Sequence, residues 1–144
     1  LVITSMKSVF FDASVLFSAL YSQTGGSNIL VQKVKVGVIT GITSETVIEE
    51  LHENITKLGS ITATHIDDFI VNSDFKVYES ISFEEIQKWV GNIEEKDIHV
   101  LVGALSTEAD YLVTLDLKHI HNSRTQSLFP TIQIVTPKEL LKFL

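Results

Sequence analysis

Short apolar segments alternate with amphipathic ones along nearly the whole chain, and this alternation limits the possible folds more than any other feature. Residues 8–11 (SVFF) read as a buried strand that stops at Asp12. Residues 13–21 (ASVLFSALY) carry helical spacing, and Gly25-Gly26 breaks the chain. Residues 27–36 read as a second helix with Ser27 as its N-cap, and residues 38–42 as a second strand. Thr43 or Ser44 then caps a helix that runs to about Leu58, where Gly59 ends it. Residues 63–71 and 83–90 read as helices, with Trp89 in the core, and residues 75–78 between them as a third strand. Beyond these, the pattern predicts a helix over 97–109, strands over 111–114 and 132–135, and a terminal helix over 137–144 opened by Pro137. Strands separated by helices predict an α/β fold: a mainly parallel central sheet of about five strands, flanked by helices on both faces.

The 144 residues suit one domain, expected over 7–144. Residues 1–6 are read as an N-terminal extension or upstream remnant, with Met6 as a natural initiator. With no cysteine, thiol catalysis, disulfide scaffolds and cysteine zinc sites are excluded. Lys and Arg total 11 against 18 Asp and Glu, a formal net charge of −7, and Arg124 is the sole arginine. A broad basic face for nucleic acid is therefore absent, although a metal ion gathered by carboxylates could still draw in a phosphodiester. No apolar stretch approaches the ~18 residues of a membrane span, and LVITSM is too short for a signal-peptide core. A cytoplasmic location is expected.

In parallel sheets, sites form beyond the carboxyl ends of the strands, so acids that follow strands draw attention. Asp12 follows SVFF directly and Asp116 follows YLVT by two residues, though each is also a reasonable N-cap. On the helix beginning near Ser44, Val47, Ile48, Leu51, Ile55 and Leu58 form the apolar stripe. Glu49 and Glu53 lie opposite the stripe as solvated charges. Glu50 lies at its boundary, where a side chain can reach a cleft edge. Asp97 opens the later helix on the side of Leu101 and Ala104, which is also compatible with capping.

The order of these residues resembles the PIN-domain family, most like its stand-alone prokaryotic members of the VapC-like toxin kind. The resemblance rests on the strand leading into Asp12-Ala-Ser14, on Glu50-Leu51 within SETVIEEL, and on DIHVLVGALSTEADYLVTLD from Asp97 to Asp116. It spans the chain from Val9 to Leu144, and ADYLVTLD is its most specific part. It implies a Mg²⁺- or Mn²⁺-dependent ribonuclease whose four metal-binding, catalytic acids are Asp12, Glu50, Asp97 and Asp116. Ser14 and Thr114 match small polar positions that support those carboxylates. The chain departs from the commoner pattern in having DAS for DTN and Leu115 in place of a glycine. Glu94 or Glu95 could share the third ligand role. Asp110 stands at the opposite strand end and is secondary.

Four carboxylates raise one another's pKa when no metal is bound, and two Mg²⁺ would balance them in formal charge. A metal-bound water can then attack an in-line phosphodiester, so no histidine or lysine nucleophile is needed. The five histidines show no catalytic spacing; His119 and His121 are read as loop surface residues and His99 as a minor substrate contact. The resemblance also implies an RNA substrate, a cognate antitoxin protein and a homodimer. The mean hydropathy of +0.25 and the residues Phe17, Tyr21, Ile66, Phe69 and Ile70 favour self-association. A phosphoreceiver-like domain would want a pair of acids after the first strand, and Gly25-Gly26 is no dinucleotide turn. The alternative is a catalytically weak PIN-like binding or assembly module.

Overall fold

The sheet has five strands in the order β3-β2-β1-β4-β5, and every neighbouring pair is parallel. They are β1 (Ser8–Phe11), β2 (Thr40–Ser44), β3 (Lys76–Tyr78), β4 (Tyr111–Val113) and β5 (Gln133–Val135). The computed structural model describes residues 6–144, so the reading of the first five residues as an upstream remnant lies outside the described part. The helices are α1 (Ala13–Tyr21), α2 (Gly26–Lys35), α3 (Glu45–Glu53), α4 (Ala63–Asn72), α5 (Phe83–Gln87), α6 (Glu95–Ser106), α7 (Ser123–Leu128) and α8 (Pro137–Leu141). The expected α/β architecture is the one observed.

Burial explains the central strand. Val9, Phe10 and Phe11 are all fully buried, because β1 has neighbours on both edges and helices on both faces. Successive side chains point to opposite faces. A Cβ on Gly103 of α6 would lie 3.0 Å from Phe10 Cζ, so Phe10 faces α6. Gly41, paired with Val9 in β2, faces α2 instead. There a Cβ would meet Val34 Cγ1 at 2.7 Å and Phe75 Cε1 at 2.9 Å. Glycine at 41 lets α2 and Phe75 close over the sheet.

Several local expectations shift. Strand β2 begins at Thr40 rather than residue 38; Ile39 is buried but belongs to the loop. Ser27 is not a cap: Gly25 holds the N-cap position of α2, and Ser27 is buried at the second position of its first turn. Ser44 does cap α3, its Oγ accepting from Val47 N at 3.3 Å. That helix ends at Glu53 and continues as a 3₁₀ turn, Ile55–Leu58, before Gly59. Helix α6 begins at Glu95, so Asp97 lies within its first turn instead of opening it. Trp89 is partly buried beyond α5 and stacks on Phe129 at 4.7 Å.

Of the five apolar residues that favoured self-association, Ile66 and Ile70 are buried, and Phe17 and Phe69 pack against the core. Tyr21 alone is largely exposed, at 74%. Among the described residues no helix is long and apolar enough to cross a membrane.

Candidate active site

The chain builds the sheet outward from β1 through β2 to β3, then returns to place β4 on the other side of β1. This reversal opens a crevice at the carboxyl ends of β1 and β4, where ligands bind in open parallel sheets. Asp12 leaves β1 at that point, with its N–H donating to Val113 O at 3.1 Å across the switch. Asp116 leaves β4 two residues beyond Thr114. Glu50 from α3 and Asp97 from α6 enter from the flanking helices. All four acids line one cleft of about 310 Å³.

Two hydroxyls fix the geometry. Thr114 Oγ1 donates to Asp12 Oδ2 at 2.7 Å and accepts from Asp116 N at 3.0 Å. Ser14 Oγ donates to the same Oδ2 at 2.9 Å and accepts from Leu115 N at 3.0 Å. Asp12 occupies the N-cap position of α1 yet makes no side-chain capping bond. Its carboxylate is held instead by the Ser14 and Thr114 hydroxyls, with the Ala13 N–H contributing. Both hydroxyls act on Oδ2, and Oδ1 accepts from neither. Asp116 Oδ1 accepts from the Lys118 and His119 N–H groups at 3.1 and 2.9 Å. Its Oδ2 lies 3.4 Å from His119 Nδ1.

The acids also feel one another. Burial holds the Asp12 carboxyl above its ordinary value, opposed by the Thr114 and Ser14 hydroxyls and helped by Asp116. Glu50, though exposed at the cleft rim, is raised first by desolvation against the cleft wall, then by Asp12, Glu53 and Asp97. Asp97, only 6% exposed, is raised by burial and then by Asp116, with His119 and Lys96 opposing. The electrostatic links Asp12–Asp116, Asp12–Glu50, Glu50–Asp97 and Asp97–Asp116 form a closed ring.

The PIN-domain family profile matches residues 8–118, from the start of β1 to the turn that holds Asp116. The chain belongs to the PIN-domain family. Its fold is similar to that in the crystal structure of VapBC2 from Rickettsia felis bound to a DNA fragment from their promoter. The TM-score is 0.62 at 16% sequence identity, covering 90% of this chain and 98% of that one. No curated protein matches the sequence.

In this PIN domain the donors are all oxygens, the set that Mg²⁺ and Mn²⁺ take. Among the described residues, no three His, Asp or Glu side chains stand close enough to form a ready-made metal cage. The four acids share one cleft wall without forming such a cage. Mg²⁺ takes oxygen ligands and keeps several waters of its own, so Asp12, Glu50, Asp97 and Asp116 are the groups that would hold such an ion.

Asp110 is at the opposite strand end, as expected, where its Oδ2 accepts from Ser8 N at 2.8 Å. Glu94 faces away from the cleft into an adjoining groove. The histidines have local partners. His121 Nε2 is 2.7 Å from Glu139 Oε1 and His52 Nε2 is 2.9 Å from Asp67 Oδ1, so His121 is a paired, half-buried group and not a free loop histidine. Among the described residues, nothing hydrogen-bonds the buried His99 Nδ1. Asn54, Lys57 and Lys96 also line the cleft and were missed in the sequence. Their signal was partial: Asn54 and Lys57 fall four and seven residues after Glu50, one face of the helix expected to run to Leu58, whereas Asn54 is the C-cap of α3 and Lys57 lies in the 3₁₀ turn.

Proposed function

We propose that this PIN domain is a metal-dependent endoribonuclease, the toxin of a toxin–antitoxin pair, with Asp12, Glu50, Asp97 and Asp116 as its metal-binding and catalytic acids. The observation that carries the reading is that four acids from four separate elements line one cleft at the topological switch point. A decayed binding module has no need to keep all four, nor the two hydroxyls that orient the first.

A bound Mg²⁺ or Mn²⁺ would supply an acidified water and stabilise the charge that develops on the phosphate. The chain supplies the rest. The Ser14 and Thr114 hydroxyls hold Asp12 by Oδ2, fixing the carboxylate that would help hold the ion. The Lys118 and His119 N–H groups hold Asp116 by Oδ1, and its Oδ2 lies beside His119 Nδ1. Asp97 approaches from the first turn of α6, and Glu50 adds its charge from the rim.

The antitoxin partner rests on the family resemblance and on the similar R. felis chain, whose structure is that of VapBC2. Self-association belongs to the same reading, with exposed Tyr21 as the remaining apolar contact of those first considered. The deciding experiment is RNA cleavage by the purified protein with Mg²⁺ or Mn²⁺, with a chelator, and in the variants Asp12→Asn and Asp116→Asn. Cleavage that needs the metal and disappears in both variants is expected. Equal cutting in chelator would sink the reading.

A further inference from the structure

The turn that carries Asp116 folds back on that residue. Asp116 O accepts from Ile120 N at 3.3 Å and from His121 N at 2.9 Å, while its Oδ1 accepts from Lys118 N and His119 N. N–H groups from the whole turn thus end on a single acid. Such a turn moves as a unit, so the position of the carboxylate depends on what anchors the turn from outside. On the inner side, Ile120 is buried and lines the cleft. On the outer side, His121 Nε2 lies 2.7 Å from Glu139 Oε1 in α8. Among the described residues, every other hydrogen bond of residues 116–122 stays within residues 114–126.

Glu139 is itself fixed. Its Oε1 also accepts from Thr136 N at 3.0 Å, and Thr136 Oγ1 accepts from Glu139 N at 3.2 Å, the reciprocal cap that opens α8. The Thr136 N–H, and then His121, hold the Glu139 carboxyl below its ordinary value, so it accepts and His121 Nε2 carries the hydrogen. The cap alone accounts for the bond to Thr136 and leaves the one to His121 unexplained. Thr136 directly follows β5, and Val135 O of that strand accepts from Thr114 N at 3.0 Å. Contacts therefore run in a closed circuit from Thr114 through Asp116, His121, Glu139 and Thr136 to Val135 and back to Thr114.

We infer that Glu139 and His121 are positioning residues for Asp116, bracing from α8 the turn that presents this acid to the cleft. His121 transmits the constraint directly, because its own N–H holds Asp116 O. The inference rests on the metal-ion part of the ribonuclease reading. It extends the site to α8, a helix that lends no residue to the cleft wall. The pair is half-exposed, and pairs of that kind stabilise a fold little. Its effect is on geometry, since groups that hold a metal ion work only within a few tenths of an ångström of the productive position.

The test is Mn²⁺ binding by the full chain without RNA, read by electron paramagnetic resonance, so that the result does not depend on catalysis. His121→Ala and Glu139→Ala should each weaken binding about tenfold, the low end for residues that hold a metal ligand from behind. The double variant should be no weaker than either single one, since the same contact is lost in all three. His121→Gln should keep the affinity, because its amide N–H reaches the carboxylate from nearly the place of Nε2. In an Asp116→Asn background, adding His121→Ala should cost less than about twofold, because the charge it positions is already gone. Glu139→Ala also removes the cap of α8, so His121→Ala is the cleaner arm, and its melting temperature in chelator should stay near that of the unaltered protein. Unchanged Mn²⁺ affinity in His121→Ala, an equal loss in His121→Gln, or losses that multiply in the Asp116→Asn background would overturn the inference. Mn²⁺ bound with the expected losses by a protein that never cuts RNA would leave the positioning role standing and remove the nuclease reading. An unaltered protein that binds no Mn²⁺ would remove both.

Discussion

Thr114 Oγ1 lies 2.7 Å from Asp12 Oδ2, although 102 residues separate the two in the chain. The contact joins the ends of β1 and β4, the adjacent strands between which the sheet reverses its order. Through its acceptance of the Asp116 N–H, the same hydroxyl positions a second acid.

Thr114→Val keeps the shape and removes the hydroxyl. The fully buried Thr114 site then leaves Asp116 N–H without its acceptor and Asp12 Oδ2 with one donor fewer. Metal affinity or RNA cleavage should drop about 10–100-fold, the range for outer-shell partners of metal ligands. A Mg²⁺ titration of cleavage rate checks it, and an unchanged titration would remove Thr114 from the site.

Glu50 and Glu49 are neighbours on α3 with different surroundings. Glu50 lines the cleft and feels Asp12 and Asp97, whereas Glu49 is exposed and absent from the cleft wall. Glu50→Gln should therefore cut cleavage by at least tenfold, on the order of one charge-dependent metal contact, while Glu49→Gln leaves it unchanged. Comparable losses in both variants would show that α3 contributes only background charge.

The metal-free protein should lose stability as pH rises through the carboxylate range. Asp12, Glu50 and Asp97 all have folded-state values above their ordinary ones, so the folded state binds more protons than the unfolded state there. The cost is absent below the ordinary values. It grows as pH climbs, and is complete above the raised ones. Asp12→Asn should flatten this fall, and Mg²⁺ should reverse it most at the higher pH. Thermal melts with and without chelator give the measurement. A metal-free melting temperature as steep in Asp12→Asn as in the unaltered protein would count against Asp12 as a contributor.

Gly41→Ala places a methyl group within 3 Å of Val34 and Phe75, both buried. Overpacking of this kind costs about 1–3 kcal/mol. Urea unfolding should show that loss, with cleavage per folded molecule preserved because Gly41 does not line the acid cleft.

The strands and the order of the acids were legible because burial on both faces leaves runs such as SVFF, and because ADYLVTLD keeps strand and acid together. Helix α7 was not legible. SRTQSL has no apolar stripe, and only Thr125 in it is buried, with the Asn122 cap holding the turn. The apolar run over 36–39 blurred the start of β2, since Ile39 is buried without being in the strand. Sequence spacing showed which acids follow strands, but it carried no information on which lone pairs the protein itself occupies. That distinction separates Asp12, held by one oxygen, from an ordinary helix cap.

The placement of Asp12 and Asp116 on strands paired across the chain's return has a consequence for synthesis. Strand β4 completes only at Val113, so until then the nascent chain lacks both Asp116 and the hydroxyl that orients Asp12. Contacts of such long sequence separation also form late, after their loop-closure entropy has been met. A ribosome-bound fragment that ends before β4 should fold in part and remain inert. The chain thus gains its acid cluster only once translation has passed Asp116, after every other strand and helix that flanks the cleft has been made.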